Sequence, residues 1–386
     1  MSCPASTGPG GGRAPAPRNS RAGAPRPFVE LWRRRKSAAF DLASNSSAGR
    51  TVDLEVFGRR LRIYANANLS IYSAQACEAR CPFCVEELRP ASRGVRLEKA
   101  GEPDEERYFG ALRATLAALR PLDPSVSITG GEASRDPRLP RILRSLAGHG
   151  ARRRTLTTNG SGLLDVREGL PVIDWIAGTG VRHLNVSRAH PDEGQNARLM
   201  RAPDRLLSGQ GLREVVARAR ASGTRVRLSC VLLEEGVRDL DGILGYVDFA
   251  RSVGVDNVVF RQLMKTDPGT HEASGVVRYS DAQRVLLEPL LDAISRDRRF
   301  AFERQIVGYY YYVEVWRACG ADVVFEEADL AQLERTRRTA PGIVHELVFH
   351  PNARLASTWQ PWDGVLGPPP PGRSQDEPRP LHPSGR

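Results

Sequence analysis

A full or partial α/β barrel, of about six strand–helix units, is expected from three features of this 386-residue chain. Between Asn68 and Leu263, short apolar runs alternate with stretches of helical spacing. That alternation implies right-handed crossovers and a parallel sheet. Six such units exceed a typical open half-sheet. Gly-Gly, Asn-Gly and Ser-Arg pairs close the runs at Gly130-Gly131, Asn159-Gly160 and Ser187-Arg188, and in such barrels chemistry sits at the carboxyl ends of the strands.

Taken in order, Thr51–Phe57 and Arg59–Tyr64 read as strands of a hairpin around Gly58. Asn68–Tyr72 is a short strand leading into a cysteine-rich loop. The following strands are Ser125–Thr129, Arg154–Thr158, His183–Ser187, Arg225–Leu233 and Asn257–Leu263. The helices between them are Pro103–Leu119, Leu139–Gly148, a connector headed by Val172–Ile176, Leu212–Ala221 and Leu240–Val253. After Thr266 the rhythm changes. A helix over Ser280–Ser295 precedes an antiparallel extension. Ile306–Trp316 and Asp322–Phe325 form one hairpin across Cys319-Gly320, and Ile343–His350 and Ala353–Thr358 form another at Pro351-Asn352.

The two ends differ in composition. Met1–Pro27 is almost wholly Gly, Pro, Ala, Ser and Arg, and cannot bury enough apolar surface to offset ordering entropy. Phe28–Leu42 has the spacing of a leading helix, and Gly364–Arg386 is a second Pro-rich tail. The expected organisation is a tail over 1–27, a core barrel over 50–265, a cap on the substrate side over 266–363 and a tail over 364–386. The 40% hydrophobic fraction supports a real core. No run of eighteen apolar residues occurs, which argues against a membrane-spanning helix. Without the apolar stretch of a signal peptide, a cytoplasmic location is expected.

The net charge of +11 is carried almost entirely by arginine. Only Lys36, Lys99 and Lys265 are lysines among 56 basic residues, leaving 53 Arg. With abundant Ala, Gly and Pro, this reads as a coding bias. The excess is scattered and lacks the aromatic interleaving that stacks single strands, which argues against a nucleic-acid partner.

Cys77, Cys81 and Cys84 stand in C-x3-C-x2-C spacing within CEARCPFC. An odd number of close thiols in a reducing compartment does not suit disulfides. Structural zinc usually takes paired knuckles or histidines, and no second knuckle is present. Soft thiolates in one short loop fit an iron–sulfur cluster. Either a distant cysteine completes the set of four, or one iron stays open for a ligand.

This loop, with Phe83 just before its last cysteine, resembles the signature of the radical S-adenosylmethionine (SAM) superfamily. The resemblance implies that Cys77, Cys81 and Cys84 hold a [4Fe–4S] cluster. The amino and carboxylate groups of S-adenosyl-L-methionine would chelate the open iron. It also implies a partial (β/α)6 barrel with the cysteine loop after its first strand. Gly130-Gly131-Glu132 resembles the motif that holds the SAM amino group. Glycines allow carbonyls to approach an ammonium, and the glutamate supplies negative charge. Ala133 replaces the usual following proline. Ser187 and Arg188 match positions that contact the SAM carboxylate and ribose in relatives. Leu228–Val231 and Val258–Phe260 would wall the adenine.

Thr157-Thr158-Asn159-Gly160 is similar to a segment of the molybdenum-cofactor cyclase branch; by itself it is a plain turn. That branch's second cysteine trio and Gly-Gly tail are missing. Cys230 reads as a core residue in a strand.

The implied function is reductive cleavage of SAM and hydrogen abstraction from a small molecule. A nucleoside or sugar of secondary-metabolite biosynthesis is favoured, with electrons from a flavodoxin or ferredoxin. Two other readings are open: maturation of a peptide or protein side chain, and a non-enzymatic metal or nucleic-acid module. No catalytic side chain beyond the cluster is identified. Arg188, Arg227 and Arg261 near strand ends suit phosphate or carboxylate, or equally a salt-bridged wall. Tyr309–Tyr312 alternate faces of a strand and read as core packing, with about two able to face a cavity. His190, His345, Glu346 and Trp359 fall near strand or loop ends.

Overall fold

A computed structural model describes residues 50–73, 77–85, 101–202, 206–265, 275–308 and 310–367. The first tail, the leading helix, Cys3 and most of the last tail lie outside the described residues.

The strands are β1 (Thr51–Val56), β2 (Arg59–Tyr64), β3 (Asn68–Tyr72), β4 (Ser125–Thr129), β5 (Arg154–Thr158), β6 (Val166–Arg167), β7 (Leu170–Pro171), β8 (His183–Ser187), β9 (Arg225–Val231), β10 (Asn257–Arg261), β11 (Phe300–Val307), β12 (Tyr311–Ala318), β13 (Ala321–Ala328), β14 (Ile343–Val344), β15 (Leu347–Phe349) and β16 (Leu355–Ala356). The helices are α1 (Glu105–Ala118), α2 (Leu139–Ala147), α3 (Val172–Gly178), α4 (Glu193–Met200), α5 (Gly209–Ala221), α6 (Leu240–Ser252), α7 (Gly275–Gln283), α8 (Leu287–Arg296) and α9 (Leu330–Thr339).

Eleven strands form one sheet in the order β11-β12-β13-β10-β9-β8-β5-β4-β3-β15-β16. The eight from β13 to β15 run parallel to their neighbours. The sheet is open: no pairing joins β11 to β16 among the described residues. It nevertheless curls. Asn68 and Ser70 of β3 share a small cavity of about 130 Å³ with Tyr311 of β12, although six strands lie between them in the sheet order.

The parallel strands alternate sharply. Leu69, Ile71, Val126, Ile128, Leu156, Leu184, Val186, Leu228, Cys230, Val258 and Phe260 join the main apolar core with the helices. Of the intervening positions, Asn68, Ser70, Ser127, Thr155, Thr157, Asn185, Arg227 and Ser229 are polar, while Val259 of β10 and Val324 of β13 form a small apolar cluster of their own. Barrel interiors are ordinarily filled by branched apolar side chains. Here Asn68 Nδ2 donates to Ser127 Oγ at 2.7 Å, and Ser70 and Ser127 hydroxyls lie 3.3 Å apart.

Local chemistry accounts for most element ends. Asp104 caps α1 by accepting from the amides of Glu106 and Arg107. Ser208 caps α5 and Asp239 caps α6 in the same way. Phe57 and Gly58 both have positive φ, the backbone a tight hairpin requires.

Three expectations are corrected. Ser280–Ser295 is not one helix but α7 and α8. The break arises because Arg284 donates to the carbonyls of Leu263 and Met264, while the Leu287 amide donates to Gln262 Oε1. Ile306–Trp316 is likewise split between β11 and β12 at Gly308, whose amide donates to Tyr311 O at 3.0 Å. The extension is also not purely antiparallel. The β12–β13 and β15–β16 hairpins form as expected, yet β13 runs parallel to β10, β15 to β3 and β14 to β2.

Candidate functional site

A cavity of about 330 Å³ opens at the carboxyl ends of β4, β5, β8, β9 and β10. That volume lies within the range of small-molecule sites. The three cysteines line it, together with Phe83, Gly130, Gly131, Glu132, Ser187 and Arg188. The three cysteines, Phe83, the Gly-Gly-Glu turn and the Ser187-Arg188 pair therefore border one space, whereas Arg227 and His190 do not line it.

The cysteine loop follows β3 and is moored at two points. The Arg80 amide donates to Met200 O at 3.2 Å, and Cys81 Sγ lies 3.5 Å from the same carbonyl. The Cys84 amide donates to Cys81 O at 3.0 Å, tightening the turn. Phe83 packs with Cys81, Met200 and Leu263, its ring centroid 6.4 Å from that of Tyr279. The mooring carbonyl belongs to α4, which the sequence reading missed. The overlooked signal was Asp192, capping the helix by accepting from the Gln195 amide at 2.8 Å.

Asn159 gains a role its turn motif alone did not predict: Nδ2 donates to Cys77 Sγ at 3.6 Å. Hydrogen bonds to sulfur stabilise thiolate and tune cluster potential. Without a cation, the thiols resist ionisation. Burial pushes Cys77 up to about 12, and burial with the charges of Cys84 and Cys77 pushes Cys81 up to about 12.

Among the described residues, no three His, Cys, Asp or Glu side chains converge on the position of a single metal ion. A mononuclear tetrahedral site needs such convergence. Three thiolates on the corners of a cluster bind three different irons and do not. The donor set therefore fits a polynuclear soft-metal group better than zinc.

Gly130 and Gly131 have positive φ, +92° and +48°. Glu132 follows, 1% exposed, and its carboxylate ties two strand ends together. Oε1 accepts from the Ser134 amide at 2.9 Å, from Ser134 Oγ at 2.6 Å and from the Thr158 hydroxyl. Oε2 accepts from the Asn159 amide at 2.7 Å. Burial raises its pKa against these bonds. A cation arriving in the cavity would relieve that burial. In Glu132→Gln the amide nitrogen would face the Asn159 or Ser134 donors, and the apoprotein should lose about 1–3 kcal/mol in denaturant unfolding. Unchanged stability would mean this carboxylate does not bridge β4 and β5.

Arg188 lines the cavity and is also held by neighbouring loops. Its guanidinium donates to Leu207 O at 3.1 Å and Pro191 O at 2.9 Å, and stacks 4.6 Å from the Phe249 ring centroid. Burial lowers its pKa. These contacts brace the loops, while Nε is buried without a partner at the cavity. Arg188→Gln should cost about 2 kcal/mol of stability through two unpaired carbonyls and a lost cation–π contact. It should leave nucleotide affinity unchanged; a tenfold loss of affinity with unaltered stability would assign it the ligand role.

The adenine wall is revised. Val231 and Ser229 reach the cavity, whereas Leu228, Val258 and Phe260 face the helices. Val276, Val277 and Ser280 of α7 close the far side. Trp359, His345 and Glu346 line the smaller cavity with Tyr310 and Tyr311. Tyr312 is buried in the core, and Tyr309 lies outside the described residues.

No family model matches the chain, and no curated protein is similar to it. Solved structures do resemble it over part of its length. The radical SAM methyltransferase TsrM from Kitasatospora setae is 16% identical, with a TM-score of 0.33, covering 50% of this chain and 36% of that one. A radical SAM methyltransferase from Sphaerobacter thermophilus is 21% identical, at 0.32, over 60% and 66%. The hydrogenase maturase HydG from Carboxydothermus hydrogenoformans is 14% identical, at 0.34, over 63% and 51%. A 3-dehydroquinate dehydratase from Geobacillus kaustophilus also resembles the chain, 9% identical at 0.26. The chain spans about a third of the length of TsrM and half that of HydG.

Proposed function

We propose that this chain is a radical SAM enzyme acting on a small molecule, its curled sheet serving as a partial (β/α)6 barrel. The observation that carries the reading is the meeting of three elements at one cavity. These are the C-x3-C-x2-C loop, the Gly-Gly-Glu turn and the Ser187 strand end, all at strand carboxyl termini. When bound, the cluster supplies an electron that cleaves the sulfonium carbon–sulfur bond of SAM and so generates the agent of hydrogen abstraction.

Cys77, Cys81 and Cys84 would hold the cluster, with Asn159 steadying the Cys77 sulfur. The carbonyls of the Gly130-Gly131 turn and the buried charge of Glu132 suit an ammonium, and Ser187 offers a hydroxyl to a carboxylate. Val231, Leu263 and Met264 give the cavity its apolar side, suited to a base face. Phe83 and α7 limit access of water. A flavodoxin or ferredoxin would deliver electrons.

The test is anaerobic reconstitution with iron and sulfide. The brown protein should hold about four irons per chain and release 5′-deoxyadenosine and methionine from SAM under reductant. Zinc-loaded, colourless protein that leaves SAM intact would overturn the reading.

A further inference from the structure

Two guanidiniums, those of Arg227 and Arg261, stand on neighbouring strands, and the single carboxylate of Glu326 acts on both. Arg261 of β10 borders the main cavity, its Nε 3.4 Å from Glu326 Oε1. Arg227 of β9 lies deeper, two residues before the cavity-lining Ser229 and four before Val231, the partner of Arg261 in the sheet. Among the described residues Arg227 makes no ion pair; its side-chain partner is the Asn257 amide oxygen. A half-buried guanidinium that shares one carboxylate with a neighbouring arginine leaves net positive charge, which an anion would offset.

The electrostatics agree with this count. Burial, then the charge of Arg261, pushes Arg227 down to about 10. On the neighbouring strand, burial, then Arg227 and three further arginines, push His183 down to about 4. Both groups sense a local excess of positive charge.

A separate observation lies alongside. Asn185 of β8 pairs in register with Arg227 and is 8% exposed. Its Nδ2 faces Thr157 Oγ1 at 3.4 Å, while its Oδ1 is buried without a partner. Buried polar atoms are almost always satisfied, so an orphan beside an arginine in a positively charged surrounding points to a place for a ligand.

We propose that the curled sheet holds an oxyanion, the carboxylate or phosphate of a small molecule, between Arg227 and Arg261, with a hydroxyl or amino donor of the same molecule on Asn185 Oδ1. Planar guanidiniums bind either oxyanion through paired hydrogen bonds. Calling that molecule the substrate rests on the enzyme reading above; the anion site itself does not. Arg261 lines the main cavity, so a molecule held between the two arginines would extend into it.

The full reconstituted chain, without SAM, is titrated at constant ionic strength with inorganic phosphate and with acetate, following the thermal unfolding midpoint. One of the two should raise the midpoint at millimolar concentration, and whichever acts more strongly identifies the class of oxyanion. In Arg227→Met the apparent affinity should fall at least tenfold. Arg227→Lys, which keeps the charge and loses the fork, should retain part of the response should the Met variant not fold. Exposed Arg120→Gln should respond like the wild type. Equal responses in wild type and Arg227→Met, or no response to either anion in the wild type, would overturn the site. Release of 5′-deoxyadenosine is measured in parallel. Cleavage without anion response sinks only this inference; anion response without cleavage sinks only the enzyme reading.

Discussion

Replacing any one of Cys77, Cys81 or Cys84 with alanine is expected to remove the brown colour, most of the iron and all measurable SAM cleavage. The effect is large because each sulfur would hold a different corner, and among the described residues no fourth thiol lines the cavity. Cys230 is fully buried on the opposite side of β9, its thiol 3.4 Å from Ala189 O. Cys230→Ser should therefore leave iron content unchanged. Iron and sulfide analysis, with assay of 5′-deoxyadenosine, checks both. Full activity in any one of the three alanine variants would dismiss the assignment, and iron loss in Cys230→Ser would mean the ligand set is wrong.

Gly130→Ala should be the most damaging substitution at the site that removes no functional group. Gly130 sits at φ +92°, and a Cβ there would lie 2.5 Å from the Tyr72 ring. That ring is 2% exposed and has little room to move, with His350 and Trp359 centred 6.2 and 6.1 Å away. Backbone strain and overpacking each cost about 1–3 kcal/mol, so a combined loss of about 2–5 kcal/mol is expected in denaturant unfolding, with SAM binding lost as the turn shifts. Gly58→Ala supplies the comparison. It has φ +75° with nothing within 4 Å, so strain acts there without collision. Equal losses in the two variants would refute the collision with Tyr72.

The parallel strands were readable because their apolar positions alternate so cleanly: His183–Ser187 and Arg154–Thr158 end where the pattern does. The cysteine loop and the Gly-Gly turn were readable because those residue types have few other uses at such spacing. What escaped depends on contacts between distant segments. The polar α4 carries too little apolar signal to stand out, yet its Met200 carbonyl moors the cluster loop. The helix break at Arg284 is imposed by the exit of β10. For Arg188, its position at the end of β8 was legible but its direction was not. Two of its nitrogens meet the Leu207 and Pro191 carbonyls, and no local pattern encodes those contacts.

Segregating grease to the helix side of the parallel strands and hydroxyls or amides to the other has an evolutionary corollary. Packing energy resides in residues such as Leu69, Ile128, Leu184 and Phe260, each essentially inaccessible to solvent. Ser127, Thr155, Asn185 and Ser229 contribute little to that ledger. A lineage, or a directed library, can therefore rewrite the lining four positions at a time and explore new ligands while the scaffold stays folded.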